Sequence, residues 1–160
     1  MNSNELKTRD QIDKKYKWNI EAMISDDSAV DGDLDRIAER AEEYNRTYSG
    51  KLAESAAGLL KAHKDRDAIW MDLERIFVYA RMRRDENNAD SKYQAMTSRC
   101  GAVIAKVSAA MAFFTPELLA SPEETILGYI DQEPGLKEYE FAIRDTLRQK
   151  AHVLSEAEEN

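Results

Sequence analysis

One segment of the sequence carries an unbroken helical stripe of apolar side chains. Its members recur at steps of three and four residues: Tyr93, Met96, Cys100, Val103, Ile104, Val107, Met111 and Phe114. A period of this kind places the side chains on one side of an α-helix, and that side must be covered by another element. The stripe therefore requires the rest of the chain to pack against it.

Four other segments repeat the helical period. One runs from Leu34 to Tyr48 and is ended by Gly50, and a shorter one runs from Leu52 to His63. A third, capped by Asp65 or Asp67, has apolar residues at Ile69, Trp70, Leu73, Ile76, Phe77 and Ala80, and further ones at Met71, Val78, Tyr79 and Met82. Because apolar coverage on several sides is typical of a surrounded helix, we expect the third segment to lie centrally. The last runs from Leu136 to Leu147.

The remaining segments add two short helices and an arm. Thr115-Pro116-Glu117 and Ser121-Pro122-Glu123 each offer a hydroxyl cap followed by proline and acid, which is typical of a helix start. Alternation in residues 15–20 predicts an extended arm with Tyr16, Trp18 and Ile20 docked on an apolar surface. The sequence thus predicts an all-α fold, with an extended arm at residues 1–24 and one multi-helix domain at residues 25–150.

Charge and cysteine content exclude several classes of protein. The formal net charge is −8, and the acids are concentrated between Glu21 and Glu43, where they would repel phosphates. We therefore expect no nucleic-acid partner. Cys100 is the only cysteine and no apolar leader precedes the polar N-terminus, so a cytoplasmic location is expected. The apolar run from Gly101 to Phe114 is too short to cross a bilayer, so no membrane partner is expected.

An acidic segment imitates a calcium-binding loop. Asp31, Asp33 and Asp35 occupy the first, third and fifth positions, and Glu42 occupies the twelfth. The sixth position, where such a loop needs glycine for its sharp bend, is Arg36. The same acids are also typical of the first turn of a helix, and the sequence favours that interpretation.

No residue type is arranged in a recognisable catalytic or metal-binding pattern. His63 and His152 are far apart, and each is more simply a residue at a helix C-terminus. Cys100 lies on the apolar stripe, where burial would leave it inert. Arg81, Arg83 and Arg84 could bind an anion, but the negative net charge favours a solvated helix end. The residues alone indicate no catalytic, cofactor-binding or metal-binding side chain.

The last residues carry a helix-start signal. Ser155 and Glu158 have the spacing of a capping box, and Leu154 precedes the cap. About 12 residues are needed before a helix is even marginal in water, and the sequence ends at Asn160. We therefore expect the chain to be cut from a longer protein.

Several stretches of the sequence form a recognisable set: Tyr16-Lys17-Trp18-Asn19-Ile20, Tyr48-Ser49-Gly50-Lys51-Leu52, Val78-Tyr79-Ala80, Phe113-Phe114-Thr115-Pro116-Glu117-Leu118-Leu119 and Arg148-Gln149-Lys150-Ala151-His152-Val153-Leu154-Ser155. Together they resemble the N-terminal region of oligoendopeptidase F, a zinc metalloendopeptidase of the thimet-oligopeptidase superfamily. The resemblance implies a helical domain that packs on its own C-terminal catalytic domain and encloses a channel for short peptides. It also implies that residues 151–160 begin the catalytic domain.

The same resemblance implies that the catalytic zinc is held downstream, by an H-E-x-x-H helix that has no counterpart in this chain. The chain alone is therefore expected to bind no zinc and to cleave no peptide. Its apolar surface is expected to make the isolated chain prone to self-association. The alternative is a free-standing helical interaction module that binds another protein through its Trp18 arm or a helix groove.

Overall fold

The computed structural model describes residue 7 and residues 9–152, and this part of the chain contains helices and no strand. The helices are α1 (Val30–Tyr48), α2 (Ala56–Glu86), α3 (Ser91–Met111), α4 (Phe114–Ala120), α5 (Glu123–Gln132) and α6 (Glu140–Arg148). Short 3-10 turns occupy Arg9–Gln11, Lys14–Tyr16, Ile20–Ala22, Asp27–Ala29, Pro134–Glu138 and Gln149–His152. The predicted all-α class is confirmed.

The first three helices form the body of the fold. Each of α1, α2 and α3 contacts the other two, and the apolar stripes meet between them. The buried residues of this core include Leu34, Ile37, Ala41, Leu73, Ile76, Ala80, Cys100, Val103 and Val107. The later elements lie beside the N-terminal half of α2, where the ring of Tyr139 stacks on His63 and the Tyr129 hydroxyl donates to the Ala53 carbonyl.

Helix α2 differs from its prediction in two respects. The segments expected as separate helices form one helix of 31 residues, because Asp65 and Asp67 do not cap a new start. Asp65 instead accepts hydrogen bonds from Lys61 and from the Tyr48 hydroxyl. The prediction of a surrounded helix is also wrong for part of its surface, since Met71 is 70% exposed and Val78 is 44% exposed.

The predicted extended arm is wrong in its conformation. The chain before α1 passes through 3-10 turns, and the first residue of the turn Ile20–Ala22 is buried in the core. Each turn rotates the chain, so the alternation that would align three side chains on one strand face no longer applies. Ile20 docks as expected, but Tyr16 and Trp18 are 73% and 78% exposed.

We therefore expect Trp18→Ala to change the free energy of unfolding by less than about 0.5 kcal/mol, as exposed positions usually do. Ile20→Ala is the matched comparison on the same segment. It should cost about 2 kcal/mol, the lower end for a buried isoleucine, because the segment can partly relax. Urea denaturation of both variants checks the pair. If both variants lost the same unfolding free energy, Ile20 would not be the only one of the two side chains that is docked on the core.

Helix ends were predicted with mixed success. Gly50 has a φ of +79° and follows Ser49, the C-cap of α1, which confirms its role as the residue that stops that helix. The predictions that the Thr115 and Ser121 hydroxyls cap two helices are wrong. Helix α4 already begins at Phe114, and the Ser121 hydroxyl donates to the Glu117 carbonyl at 2.8 Å instead of capping α5.

One stretch, Ser91–Ala120, is long and apolar enough to cross a membrane by length and composition alone. The prediction of no membrane span rested on the shorter run from Gly101 to Phe114, so the stretch is longer than that prediction assumed. Core helices of bundles satisfy the same criterion. Here α3 buries Met96, Cys100, Val103, Val107 and Met111 against α1 and α2. One side of α3 therefore lies in the bundle core, while the buried share of the apolar stretch is 28%.

Candidate functional site

The imidazole of His63 is enclosed by aromatic rings in the core. It stacks on the ring of Tyr139, with centroids 4.4 Å apart, and meets the edge of Phe114 at 4.9 Å. Its Nδ1 lies 3.4 Å from Nη2 of Arg66, and its buried Nε2 has no hydrogen-bond partner. Burial, assisted by the Arg66 charge, lowers the pKa of His63 to about 4, so the ring is neutral at pH 7.

The predicted role of His63 at a helix C-terminus is therefore wrong, because the residue lies inside α2. His152 closes the turn Gln149–His152, and its side chain lies outside the described part of the structure. Among the described residues, no group of three or more histidine, cysteine, aspartate or glutamate side chains could hold a metal ion.

The acidic segment that imitates a calcium loop forms the first turns of α1. Asp33 is ion-paired with Arg36 on the same helix. Asp31 and Asp35 are paired with Arg99 of α3, at 3.1 and 2.9 Å. The acids therefore tie α1 to α3, and the interpretation as a helix start is confirmed.

The arginines near the end of α2 are engaged by acids and rings. Arg83 contacts Glu21 at 2.9 Å and Glu86 at 3.2 Å, and its Nε donates to the Tyr79 hydroxyl. Arg84 is paired with Asp85 at 2.8 Å. Arg81 lies over the ring of Phe77. These groups stabilise the end of α2 and the arm beside it rather than forming an open anion site.

Cys100 has the environment that the stripe predicts. Its side chain is fully buried on α3, and burial raises the pKa of the thiol. A thiol held in its protonated form is a poor nucleophile, so the interpretation as an inert core residue stands.

A groove of about 340 Å³ follows the line between α1 and α2. Among its lining residues, the Tyr48 hydroxyl accepts from Lys61 at 2.9 Å and donates to Asp65, while Lys61 pairs with Asp65 at 2.6 Å. Burial and the Asp65 carboxylate raise the pKa of Tyr48. Because these three groups satisfy one another, none of them is a free base or an activated nucleophile.

Two of the stretches that carry the family resemblance contact each other through Glu117. Its carboxylate accepts from the backbone N–H of Gly50 and of Leu52, both at 2.7 Å. The contact joins α4 to the loop between α1 and α2. From the sequence Glu117 was only a first-turn acid, since a contact to residues about 65 positions away leaves no periodic signal.

We expect Glu117→Ala to lower the free energy of unfolding by about 1 to 2 kcal/mol, because it leaves two backbone donors without their charged acceptor. Gly50 is exposed and can regain water, which limits the loss. The control is Glu123→Ala, an exposed acid in the first turn of α5. Denaturant titration should show little change for the control, and equal losses would contradict the role of Glu117 in holding the loop.

Taken together, the described residues define a multi-helix domain built around the core of α1, α2 and α3. Residues 117–160 match the family model described as Oligopeptidase F. The chain is 31% identical over 157 residues to Oligopeptidase PepF of Bacillus subtilis (strain 168), covering 98% of this chain and 23% of that protein. It is 29% identical to the plasmid Oligoendopeptidase F of Lactococcus lactis subsp. cremoris, covering 96% of this chain and 26% of that protein.

The fold is also similar to part of two longer chains of known structure. Oligoendopeptidase-F from Enterococcus faecium superposes with a TM-score of 0.71 at 29% identity, covering 83% of this chain and 25% of that one. A structure from Chlamydophila abortus, at 18% identity, shares the fold with a TM-score of 0.82. The resemblance to the N-terminal region of oligoendopeptidase F is confirmed, and the chain spans about a quarter of the length of the curated relatives it matches.

Proposed function

We propose that this chain is the non-catalytic N-terminal domain of an oligoendopeptidase F-like zinc metalloendopeptidase, in which it helps to wall the channel for short peptides. One observation carries the proposal: similarity extends over 98% of this chain but only 23% of the Bacillus subtilis peptidase. The partner of the domain is then its own catalytic domain, which residues 151–160 begin. We place the protein in the cytoplasm, in keeping with its single cysteine.

The described residues do not fit the zinc that such a peptidase needs. The described part of the chain brings no metal-ligating cluster together, and His63 is buried between Tyr139 and Phe114. The catalytic zinc, which would activate a water for attack on the peptide bond, therefore belongs to the proposed catalytic domain. In this proposal the described residues contribute shape to the channel.

The test compares the protein encoded by the whole reading frame with a version that lacks residues 1–152. A quenched-fluorescent peptide reports hydrolysis. The longer protein should cleave the peptide, lose activity to a chelator and regain it with zinc, and removal of the helical domain should reduce cleavage. A longer protein that binds no metal and cleaves nothing would contradict the proposal.

The alternative function is a free-standing helical interaction module. The exposed Tyr16 and Trp18 side chains favour it, since they leave an aromatic arm without a partner in the described part of the fold. The two functions differ in one respect that is easily measured. A module would keep its partner binding with no peptidase joined to it, whereas a peptidase domain requires the longer reading frame.

A further inference from the structure

A groove of about 270 Å³ lies on the surface between α5 and α6, and we name it the α5–α6 groove. Its lining residues are Glu123 and Leu127 of α5 and Phe141, Arg144, Leu147 and Arg148 of α6. The ring of Phe141 is 78% exposed, and Leu127 beside it is half-buried. An exposed aromatic ring among other apolar side chains is typical of a surface that another element covers. The described part of the chain leaves this groove open.

Charged side chains border the apolar part of the α5–α6 groove without closing it. Arg144 pairs with Glu140 at 2.8 Å, and Arg148 pairs with Asp145 at 2.6 Å. Both arginines are exposed, and each pairs with a neighbour on the same helix. Because exposed pairs of this kind contribute little to stability, the two arginines can turn toward an occupant of the groove.

The chain leaves α6 at one end of the α5–α6 groove. Helix α6 ends at Arg148, which lines the groove, and the turn Gln149–His152 follows directly. The next residue therefore starts no more than about 14 Å from the groove, the reach of four extended residues. The match to the family model begins at Glu117 and runs to Asn160. It includes α5, α6 and the segment after them, but none of α1, α2 and α3.

The sequence after the turn is typical of a helix that returns along α6. Val153 and Leu154 are apolar, and a capping box starts at Ser155. Consecutive helices that are joined by a connection this short are usually antiparallel neighbours. The eight residues after the turn contain three glutamates and no Lys or Arg, which complements the two arginines of the groove.

We propose that, in the longer protein, the helix that starts after His152 lies antiparallel to α6 in the α5–α6 groove. The inference rests on the proposed function in one respect, because it requires the chain to continue past Asn160. A helix that starts at Glu156 beside Arg148 needs about seven residues to come level with Phe141, at about 1.5 Å per residue. The side chain that covers Phe141 therefore lies beyond Asn160, which agrees with the exposure of that ring here.

A second copy of the chain suits the α5–α6 groove less well than the segment that follows it. Six side chains line the groove, whereas specific complexes use about 20 to 30 residues on each side. A second copy would also lose translational and rotational freedom on binding, which a segment joined to α6 through four residues does not. The effective concentration of such a segment at the groove is on the order of millimolar or above.

Thiol labelling of Phe141→Cys tests whether the α5–α6 groove is covered. In the 160-residue chain the new thiol should react rapidly, because position 141 is exposed and the native Cys100 is fully buried. In the protein encoded by the whole reading frame the same thiol should react roughly 10-fold or more slowly, because the returning helix excludes the reagent. Mass spectrometry of the peptide that contains position 141 gives the rate at that position alone.

The control for this labelling is Glu39→Cys, which replaces an exposed acid on α1. Its thiol should react at the same rate in the 160-residue chain and in the longer protein. If the thiol of Phe141→Cys also reacted equally fast in both proteins, the proposal would be overturned.

Cross-linking identifies the segment that covers the groove and its direction. In the longer protein, Arg144→Cys is combined with Glu159→Cys and, separately, with Asn160→Cys, and a short thiol-to-thiol cross-linker is added. A returning helix brings position 160 level with Arg144, whereas a segment that continued away from α6 would carry it roughly 20 Å off. At least one of the two combinations should therefore cross-link. If neither did, another part of the longer protein would cover the groove and the proposal would be overturned.

Peptide hydrolysis reports separately on the proposed function. A longer protein that cleaves the quenched-fluorescent peptide but leaves position 141 as reactive as in the 160-residue chain would overturn this inference and leave the proposed function standing. A longer protein that protects position 141 but cleaves nothing would overturn the proposed function and support the returning helix.

Discussion

Replacing Tyr79 with alanine is expected to lower the free energy of unfolding by about 3 to 5 kcal/mol, the range for removing a buried aromatic ring. The ring is 2% exposed and meets the edge of Tyr93 on α3. Its hydroxyl accepts from Arg83 and donates to Asp27, at 3.2 and 3.3 Å, which joins the end of α2 to the segment before α1. Removal therefore opens a cavity and breaks this link.

Urea denaturation of two further variants distinguishes the contribution of the Tyr79 ring to stability from that of its hydroxyl. Tyr79→Phe keeps the ring and should lose only about 1 kcal/mol, the net worth of an ordinary hydrogen bond. Phe141→Ala removes an exposed aromatic ring and should change stability by less than about 0.5 kcal/mol. A loss for Tyr79→Ala as small as that of the Phe141 control would show that α2 and α3 do not meet at this ring.

Acidification between pH 6.5 and pH 4 is expected to remove about 3 kcal/mol of stability through His63. The imidazole has a pKa near 6.5 in the unfolded chain and about 4 in the fold, so the unfolded chain binds the proton first. Stability therefore falls as pH falls, beginning below 6.5, and the loss is complete below about 4. Its cause is burial against Tyr139 and Phe114, with Arg66 beside the ring.

The matched variant is His63→Phe, which keeps a ring in the same pocket but carries no titrating group. Its absolute stability can differ from that of the parent chain, so the measured quantity is the slope of unfolding free energy against pH. Carboxylates with lowered pKa, such as Asp27 and Glu140, lose their contribution as the pH falls through their ordinary values of 3.8 and 4.5, and they do so equally in the parent chain and in the variant. A parent and a variant with the same slope between pH 5 and 6.5 would contradict a neutral buried His63.

The elements that could be predicted from the sequence are those fixed by local periodicity. The stripe from Tyr93 to Phe114 and the stop at Gly50 needed only the spacing of apolar residues and one permissive backbone position. The helix boundary that was predicted before Ile69 is wrong. Asp65 does not cap a new helix, because its carboxylate pairs with Lys61 instead. Competition of this kind depends on tertiary contacts that no local pattern contains.

The arm and the buried polar groups also depend on tertiary contacts that the sequence pattern does not contain. Alternation placed Trp18 on a docked surface, but the 3-10 turns on either side rotate its side chain into solvent. The helical period of the segment from Leu52 to His63 includes His63. Its partners Phe114 and Tyr139, however, belong to elements that lie 50 or more residues later in the sequence. Glu117 is similar, because its carboxylate accepts the backbone N–H of Gly50 only when the fold brings α4 beside the loop after α1.

Zinc content and peptide turnover, measured in one sample of the purified 160-residue chain, test whether this domain carries a catalytic site. After dialysis against zinc and then against buffer, the chain should retain no stoichiometric metal and should not cleave a quenched-fluorescent peptide. The reason is that its described residues bring no set of metal ligands together. One zinc per chain, with turnover that a chelator abolishes, would show that the domain is catalytic.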